Sequence, residues 1–130
     1  MIKEIHIETK YRNEFIDITD KVEESIKGFN NGLVVVFSQH TTAAITVNEG
    51  SDLSVKADIR KKLSDLVPVD NRFKHSEGNS DAHIKVSLIG PSETLIVKNG
   101  KLMLGTWQRL FLCEFDGPRN RKILLKAVKG

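Results

Sequence analysis

The sequence has few of the features that mark disulfide-stabilised, secreted or membrane proteins. Its 130 residues include one cysteine, one tryptophan, one tyrosine and three prolines. A single cysteine excludes an intrachain disulfide, and Cys113 stands in an apolar run, so we expect a buried small side chain rather than a nucleophile. No apolar run approaches the roughly 20 residues of a membrane helix, and the N-terminus lacks the apolar segment of a signal peptide. We expect one cytoplasmic domain over residues 1–130, with no membrane partner.

The charge of the chain is balanced, with a small positive excess. The net charge is +3, and the basic residues are dispersed with a mild concentration after Arg119. Nucleic-acid phosphates select clustered Lys and Arg, so we expect no nucleic-acid partner. A positive bias near a pocket would suit a small phosphorylated metabolite.

The hydrophobic pattern predicts an α+β protein with predominantly antiparallel sheet and two helices. The helices are predicted at residues 20–29 and from Ser51 or Asp52 to Leu66. Strands are predicted at residues 2–9, 15–18, 33–37, 43–47, 83–89, 93–97, 101–115 and 121–128. The unbroken apolar run 33–37 is typical of a strand buried on both faces. Asn99-Gly100 predicts a type I′ hairpin, Gly105 a bend or bulge, and residues 67–82 a long loop.

The stretch from His75 to His83 holds the densest polar chemistry of the chain. It contains two imidazoles, two carboxylates and one amide around Gly78. His83 opens the predicted strand 83–89 on its polar side, so it is not a core histidine. His40 follows the apolar strand 33–37. We expect the fold to bring both clusters together with the polar segments 105–108 and 116–119.

Three of the four histidines are candidate metal ligands, namely His40, His75 and His83. Three neutral imidazoles with one open position describe a catalytic zinc site. The spacing of His75 and His83 matches no stereotyped metal motif, so acid–base chemistry, phosphate binding and structural hydrogen bonding stay open. A divalent ion is expected, zinc first and magnesium with a pyrophosphate substrate. His6 stands apart in a polar strand row and is expected at the surface.

Other polar residues supply candidate partners for these histidines and for a substrate. Carboxylates beside histidines fix their tautomers, and Glu49, Glu77 and Asp81 are the candidates. The candidate substrate-binding residues are Thr41, Thr42, Asn79, Gln108 and Arg119. Trp107 is expected in the core or at a subunit interface.

Four polar segments together resemble the YjbQ family of small bacterial and archaeal proteins. They are Gln39 to Ala43, Asn48-Glu49, His75 to His83, and Gly105 to Arg119. The resemblance spans nearly the whole chain and implies a β-sandwich-like fold assembled as a homotrimer, with the pocket at subunit interfaces. The family's pocket residues carry over onto His40, His75, His83, Glu49, Asn79 and Gln108.

The resemblance also implies a secondary thiamine-phosphate synthase activity. That reaction joins hydroxymethylpyrimidine pyrophosphate to thiazole phosphate and releases pyrophosphate. We predict Glu49, His75 and His83 as catalytic residues, with Arg119 and a divalent ion neutralising the leaving group. The alternative is a non-catalytic module that binds a metal or a phosphometabolite.

Overall fold

The computed structural model describes residues 1–130 and contains eight strands and three helices. The strands are β1 (Ile2–Glu8), β2 (Glu14–Asp17), β3 (Gly32–Ser38), β4 (Ala43–Glu49), β5 (Ser92–Lys98), β6 (Lys101–Leu102), β7 (Gln108–Glu114) and β8 (Asn120–Lys129). The helices are α1 (Thr19–Ser25), α2 (Leu53–Leu66) and α3 (Ser80–Ile89). None of these helices has both the length and the hydrophobicity to span a bilayer.

The strands form two sheets that pack face to face. The larger sheet has the order β1-β8-β3-β5-β6, the smaller one β2-β7-β4, and all pairs are antiparallel. Inward-facing aliphatic side chains of both sheets form one core, which Val22 of α1 and Ile26, at the C-cap of that helix, complete. The predicted antiparallel, sandwich-like α+β fold is confirmed, with three helices instead of two.

The outer face of the larger sheet carries apolar side chains without a covering layer. Val34 and Val36 of β3 are fully buried, whereas Leu33 and Phe37 on the other face are 43% and 38% exposed. The prediction that this strand is buried on both faces is therefore wrong for a single chain.

A second core lies between the smaller sheet and two helices. It joins Phe15, Phe111 and Phe115 of the sheet side to Leu63 of α2 and Val86 of α3. Cys113 is fully buried in the same cluster, as predicted. This core anchors α3 against the smaller sheet, and α3 begins where the histidine-rich segment ends.

The segment predicted as strand 83–89 is instead helix α3. Its polar–apolar alternation was misleading because the buried face includes a charged pair, Asp81 and Lys85, beside Val86. Those two residues are four apart and face each other only in a helix. Leu88 is 61% exposed, so apolar residues do not define the buried face. The helix ends at Gly90, whose φ of +101° favours glycine.

Four local predictions are resolved by the turns and helix ends. Asn99 and Gly100 have φ of +51° and +76° and connect β5 to β6, which confirms the hairpin. The predicted strand 101–115 is divided into β6 and β7 by residues 103–107, so the interruption is larger than a bend. The Asp52 side chain accepts the Ser54 N–H and caps α2. Helix α1 is shorter than predicted and ends at Ser25.

Candidate ligand-binding pocket

A polar pocket of about 430 Å³ opens where the β3–β4 and β7–β8 loops meet the beginning of α3. None of its lining residues is hydrophobic. They are Gln39, His40, Thr41, Thr42, His75, Glu77, Asn79, His83, Asp116, Arg119 and Arg121. Such a surface offers hydrogen bonds and charge but no apolar wall, which favours a strongly polar ligand.

Three imidazoles that are far apart in sequence share this pocket. His75 and His83 meet edge to face, with ring centroids 5.4 Å apart. The Glu77 carboxylate lies 3.9 Å from Nε2 of His75, and both side chains are substantially exposed. His40 comes from the β3–β4 loop. The fold groups the rings, while their chemical roles stay predictions.

His40 is held by the backbone of the last strand. The Lys122 N–H donates to Nε2 of His40 at 2.9 Å. Burial first, and the nearby Arg121 guanidinium second, lower the pKa of His40 from its ordinary value. Both effects favour the neutral imidazole.

A buried ion pair between Arg121 and Glu114 forms the floor of the pocket. Nε and Nη2 of Arg121 both donate to the Glu114 carboxylate, and Nη2 also donates to Oγ1 of Thr42 at 2.8 Å. The carboxylate accepts two further hydrogen bonds, from the Thr9 hydroxyl and the Asp116 N–H, each at 2.9 Å. Multiple partners hold both charged groups in one geometry.

A second set of fixed polar groups lies around Asp116. Its carboxylate accepts the Asn79 amide at 2.7 Å and the Arg119 guanidinium at 2.9 Å. Burial opposes ionisation, but these hydrogen bonds hold the pKa of Asp116 below its ordinary value. Oδ1 of Asn79 is buried without a hydrogen-bond partner. Arg119 is half exposed and already paired, so its charge is partly neutralised within the chain.

Asp81, a candidate base from the sequence, does not line the pocket. Its carboxylate receives two hydrogen bonds from Arg12, at 2.9 and 3.0 Å, and lies 3.6 Å from Nζ of Lys85. The side chains of Asp81 and Lys85 are 1% and 2% exposed. This cluster ties α3 to the loop before β2 and so positions the pocket residues Asn79 and His83.

Two predicted site residues, Glu49 and Gln108, lie outside this pocket. They are paired across β4 and β7, at the end of β4 remote from the His40 loop. A strand of that length extends roughly 20 Å. The Glu49 carboxylate accepts the Ser51 N–H at 2.8 Å. Within one chain, neither residue joins the histidines. Trp107 lies beside them and is 63% exposed in the single chain, so it is not a core residue, and its place at a subunit interface stays a prediction.

Sequence reasoning missed Arg121 and Asp116 as pocket residues. Arg121 lies on the same face of β8 as the buried Ile123 and Leu125, so it faces inward. A charged residue at the inward position of a strand end is the signal that identifies it. Asp116 stood in a recognised polar segment, but its pairing with Asn79 depends on contacts between distant loops.

The donor set was tested against the predicted metal site. No three His, Cys, Asp or Glu side chains are arranged around a point where they would hold an ion. Nε2 of His40 is engaged with a backbone N–H, which leaves His75 and His83 as neighbouring imidazoles. The three-histidine zinc set stays a prediction that this arrangement does not support.

Comparison with known proteins places the chain in a family. Residues 3–130 match the family model described as UPF0047 protein YjbQ-like. The chain belongs to this family. It is 48% identical to a UPF0047 protein of Methanocaldococcus jannaschii, over 98% of this chain and 94% of that protein. It is 43% identical to the UPF0047 protein YugU of Bacillus subtilis, over 98% and 99% of the two chains.

Solved structures show that the YjbQ-like fold is shared throughout the chain. A YjbQ/UPF0047 family protein of Clostridium acetobutylicum superposes with a TM-score of 0.93 at 47% identity, covering 97% of this chain and 99% of that one. A conserved hypothetical protein of Thermus thermophilus superposes with a TM-score of 0.93 at 40% identity and the same coverage. The family resemblance inferred from the polar motifs is confirmed.

Proposed function

We propose that the pocket binds a small phosphorylated metabolite and supports a secondary thiamine-phosphate synthase reaction. The observation that carries the proposal is the pocket of about 430 Å³ lined only by polar residues, among them three imidazoles and two guanidinium groups. Phosphate oxygens match such donors, and a planar guanidinium binds them in two-pronged fashion. The family resemblance supplies the identity of the reaction.

In that reaction the thiazole nitrogen attacks the methylene carbon of the pyrimidine substrate. The carbon–oxygen bond to pyrophosphate breaks, and pyrophosphate leaves with the electron pair. Fixed donors that face the leaving oxygens would stabilise the developing charge, and Arg119 and Arg121 are the cationic candidates. His75 and His83, which also line the pocket, would bind or protonate the same oxygens.

A divalent ion, zinc or magnesium, stays part of the proposal because a pyrophosphate leaving group carries concentrated negative charge. His75 and His83 are the remaining imidazoles for it, since His40 is engaged through Nε2. Elemental analysis of untreated protein tests this part. A zinc content below about a tenth of an equivalent per chain would contradict a resident zinc at an open three-ligand site.

A homotrimer is proposed as the working assembly. The outer face of the larger sheet exposes Leu33, Phe37, Ile96 and Val128. A contiguous apolar sheet face of this kind marks an interaction surface. A neighbouring chain would also have to supply Glu49 and Gln108 if they act with the histidines. Light scattering after size-exclusion chromatography should give three chains, and a monomer at micromolar concentration would contradict the assembly.

A non-catalytic binding module is the alternative. It is favoured by the internal pairing of Arg119 with Asp116 and of Arg121 with Glu114, because these bonds fix a preformed polar surface. Such a module would bind the phosphorylated metabolite without turnover.

The synthase proposal is tested with highly purified protein and the two phosphorylated substrates. His83→Ala should lower the rate of thiamine phosphate formation at least tenfold, since one transition-state hydrogen bond is lost. His6→Ala is the matched control because His6 is an exposed histidine on β1, outside the pocket. Equal rates for His83→Ala and the parent protein would refute the site. Binding without any turnover in the parent protein would favour the module.

A further inference from the structure

The position of the proton on the His40 ring is set by a backbone N–H group, which can only donate a hydrogen bond. The Lys122 backbone N–H can only donate, so Nε2 of His40 must present its lone pair. In a neutral imidazole the proton then resides on Nδ1. Lys122 pairs with His6 of β1, and β3 pairs with β8 from Ile123 onward, so strand pairing holds the donor in place.

The residue beside Lys122 contributes a second fixed donor. Two nitrogens of Arg121, Nε and Nη2, are taken by Glu114 and Thr42. The third nitrogen, Nη1, makes no hydrogen bond within the chain and stays accessible to solvent. The Arg121 side chain lines the pocket. The guanidinium is otherwise buried and its plane is locked by the Glu114 carboxylate.

We propose that Nδ1–H of His40 and Nη1 of Arg121 form a preorganised two-donor site for a phosphate oxygen, and that His40 is a neutral donor rather than a metal ligand or a base. The inference deepens the proposed function, because it names the ligand group that this side of the pocket takes. Both side chains line the same pocket. Arg121 is also the neighbour in sequence of Lys122, whose N–H holds the His40 ring.

Metal binding by His40 conflicts with its backbone partner. An ion on Nδ1 would move the proton of a neutral ring to Nε2, where it would face the Lys122 N–H. Two donors would then point at each other in a partly buried site. An oxygen acceptor on the ligand creates no such conflict, since it takes the Nδ1 proton and leaves the bond from Lys122 intact.

Long-range proton–nitrogen NMR of histidine-labelled protein tests the protonation state directly. In ligand-free protein at pH 7.5, His40 should show only the neutral form protonated at Nδ1, with its signals assigned by their loss in His40→Gln. Added zinc should leave these signals unchanged. A proton on Nε2, or loss of the Nδ1 proton on adding zinc, would overturn the inference.

Calorimetric binding of inorganic phosphate and pyrophosphate tests the donor site. In His40→Gln the side-chain oxygen reaches the position of Nε2 and still accepts from Lys122, but the donor at Nδ1 is absent. In His40→Asn the amide nitrogen occupies the Nδ1 position. We expect about tenfold to a hundredfold weaker binding in His40→Gln and a change of less than about threefold in His40→Asn. His6→Gln is the matched control and should bind as the parent does.

The outcomes separate this inference from the proposed reaction. Parent-like binding by His40→Gln, with an unchanged thermal unfolding curve, would overturn the donor site, and so would a parent protein that binds neither anion. Anion binding that depends on His40 in a protein without synthase activity would refute the reaction and leave the donor site in place.

Discussion

Replacing Asp81 with asparagine should destabilise the protein far more than replacing its buried partner Lys85 with methionine. Asp81 is the only carboxylate in its cluster, and it holds both Arg12 and Lys85. Arg12 is 37% exposed and can turn towards solvent, but Lys85 is 2% exposed. Burial lowers the pKa of Lys85, and Asp81 opposes that effect. Without Asp81, the Lys85 ammonium keeps only neutral partners, the Asn13 side-chain oxygen at 3.2 Å and the Phe115 ring, whose centroid is 5.5 Å away.

Removing one partner of a buried ion pair costs about 3–5 kcal/mol, which is a large share of a typical stability of about 5–15 kcal/mol. Lys85→Met instead removes the buried charge and leaves Asp81 with its two Arg12 hydrogen bonds. Because Asp81 keeps its ion pair with Arg12, no buried charge is left unpaired, so we expect a change within about 1 kcal/mol. The double variant should recover most of the Asp81→Asn loss.

Urea unfolding followed by far-ultraviolet circular dichroism measures these differences. The midpoint should fall sharply for Asp81→Asn at an unchanged slope, and little for Lys85→Met. A loss below about 1 kcal/mol in Asp81→Asn would show that the cluster is solvated, contrary to the burial argument. Equal losses of stability in both single variants would show that the unpaired Lys85 charge is not the cause of the Asp81→Asn loss.

Three further outcomes follow from the buried groups. Glu114→Gln should cost about 3–5 kcal/mol in urea unfolding, because Arg121 is then buried without its counter-charge; a loss under about 1 kcal/mol would contradict this. Cys113 should not react with a thiol reagent at pH 8 until the chain is unfolded, since burial raises its pKa and blocks access; rapid reaction of folded protein would disprove it. Burial favours protonation of Asp81 and Asp116, but their hydrogen bonds outweigh burial and lower the pKa of both carboxyl groups. Below about pH 4 the unfolded chain therefore binds more protons than the folded chain, and the free energy of unfolding should fall there. Unfolding free energies that stay constant from pH 7 to pH 3 would contradict that sign.

Much of the sheet architecture was predictable because each strand obeys a local rule. Alternating apolar residues identify β1 and β8, and the Asn99-Gly100 turn fixes the β5–β6 hairpin through its positive φ angles. The cap at Asp52 likewise marks the start of α2. These signals act within a few residues, so the sequence pattern contains them in full.

Helix α3 was not predictable from its periodicity because tertiary contacts override the local pattern. Its buried face contains Asp81 and Lys85, which are tolerable there only because Arg12, from a distant loop, completes the cluster. No window around α3 includes Arg12. The same limitation hid Arg121, whose burial depends on Glu114 in another sheet. The missed features are those in which two polar groups, distant in sequence, are buried because each is the hydrogen-bond or ion-pair partner of the other.

Two buried charge clusters therefore define what the pocket can do. Replacement of such clusters by apolar residues often leaves stability unchanged, so stability alone does not explain them. Their common consequence is position: Glu114 fixes the plane of Arg121 at the pocket floor, and Asp81 fixes the helix that presents His83. Because each buried charge in these clusters has an oppositely charged partner within the chain, these side chains can be rigid without requiring a ligand for folding. A pocket held in this way is preformed before any ligand arrives, which is the property that both the proposed synthase and the proposed binding module require.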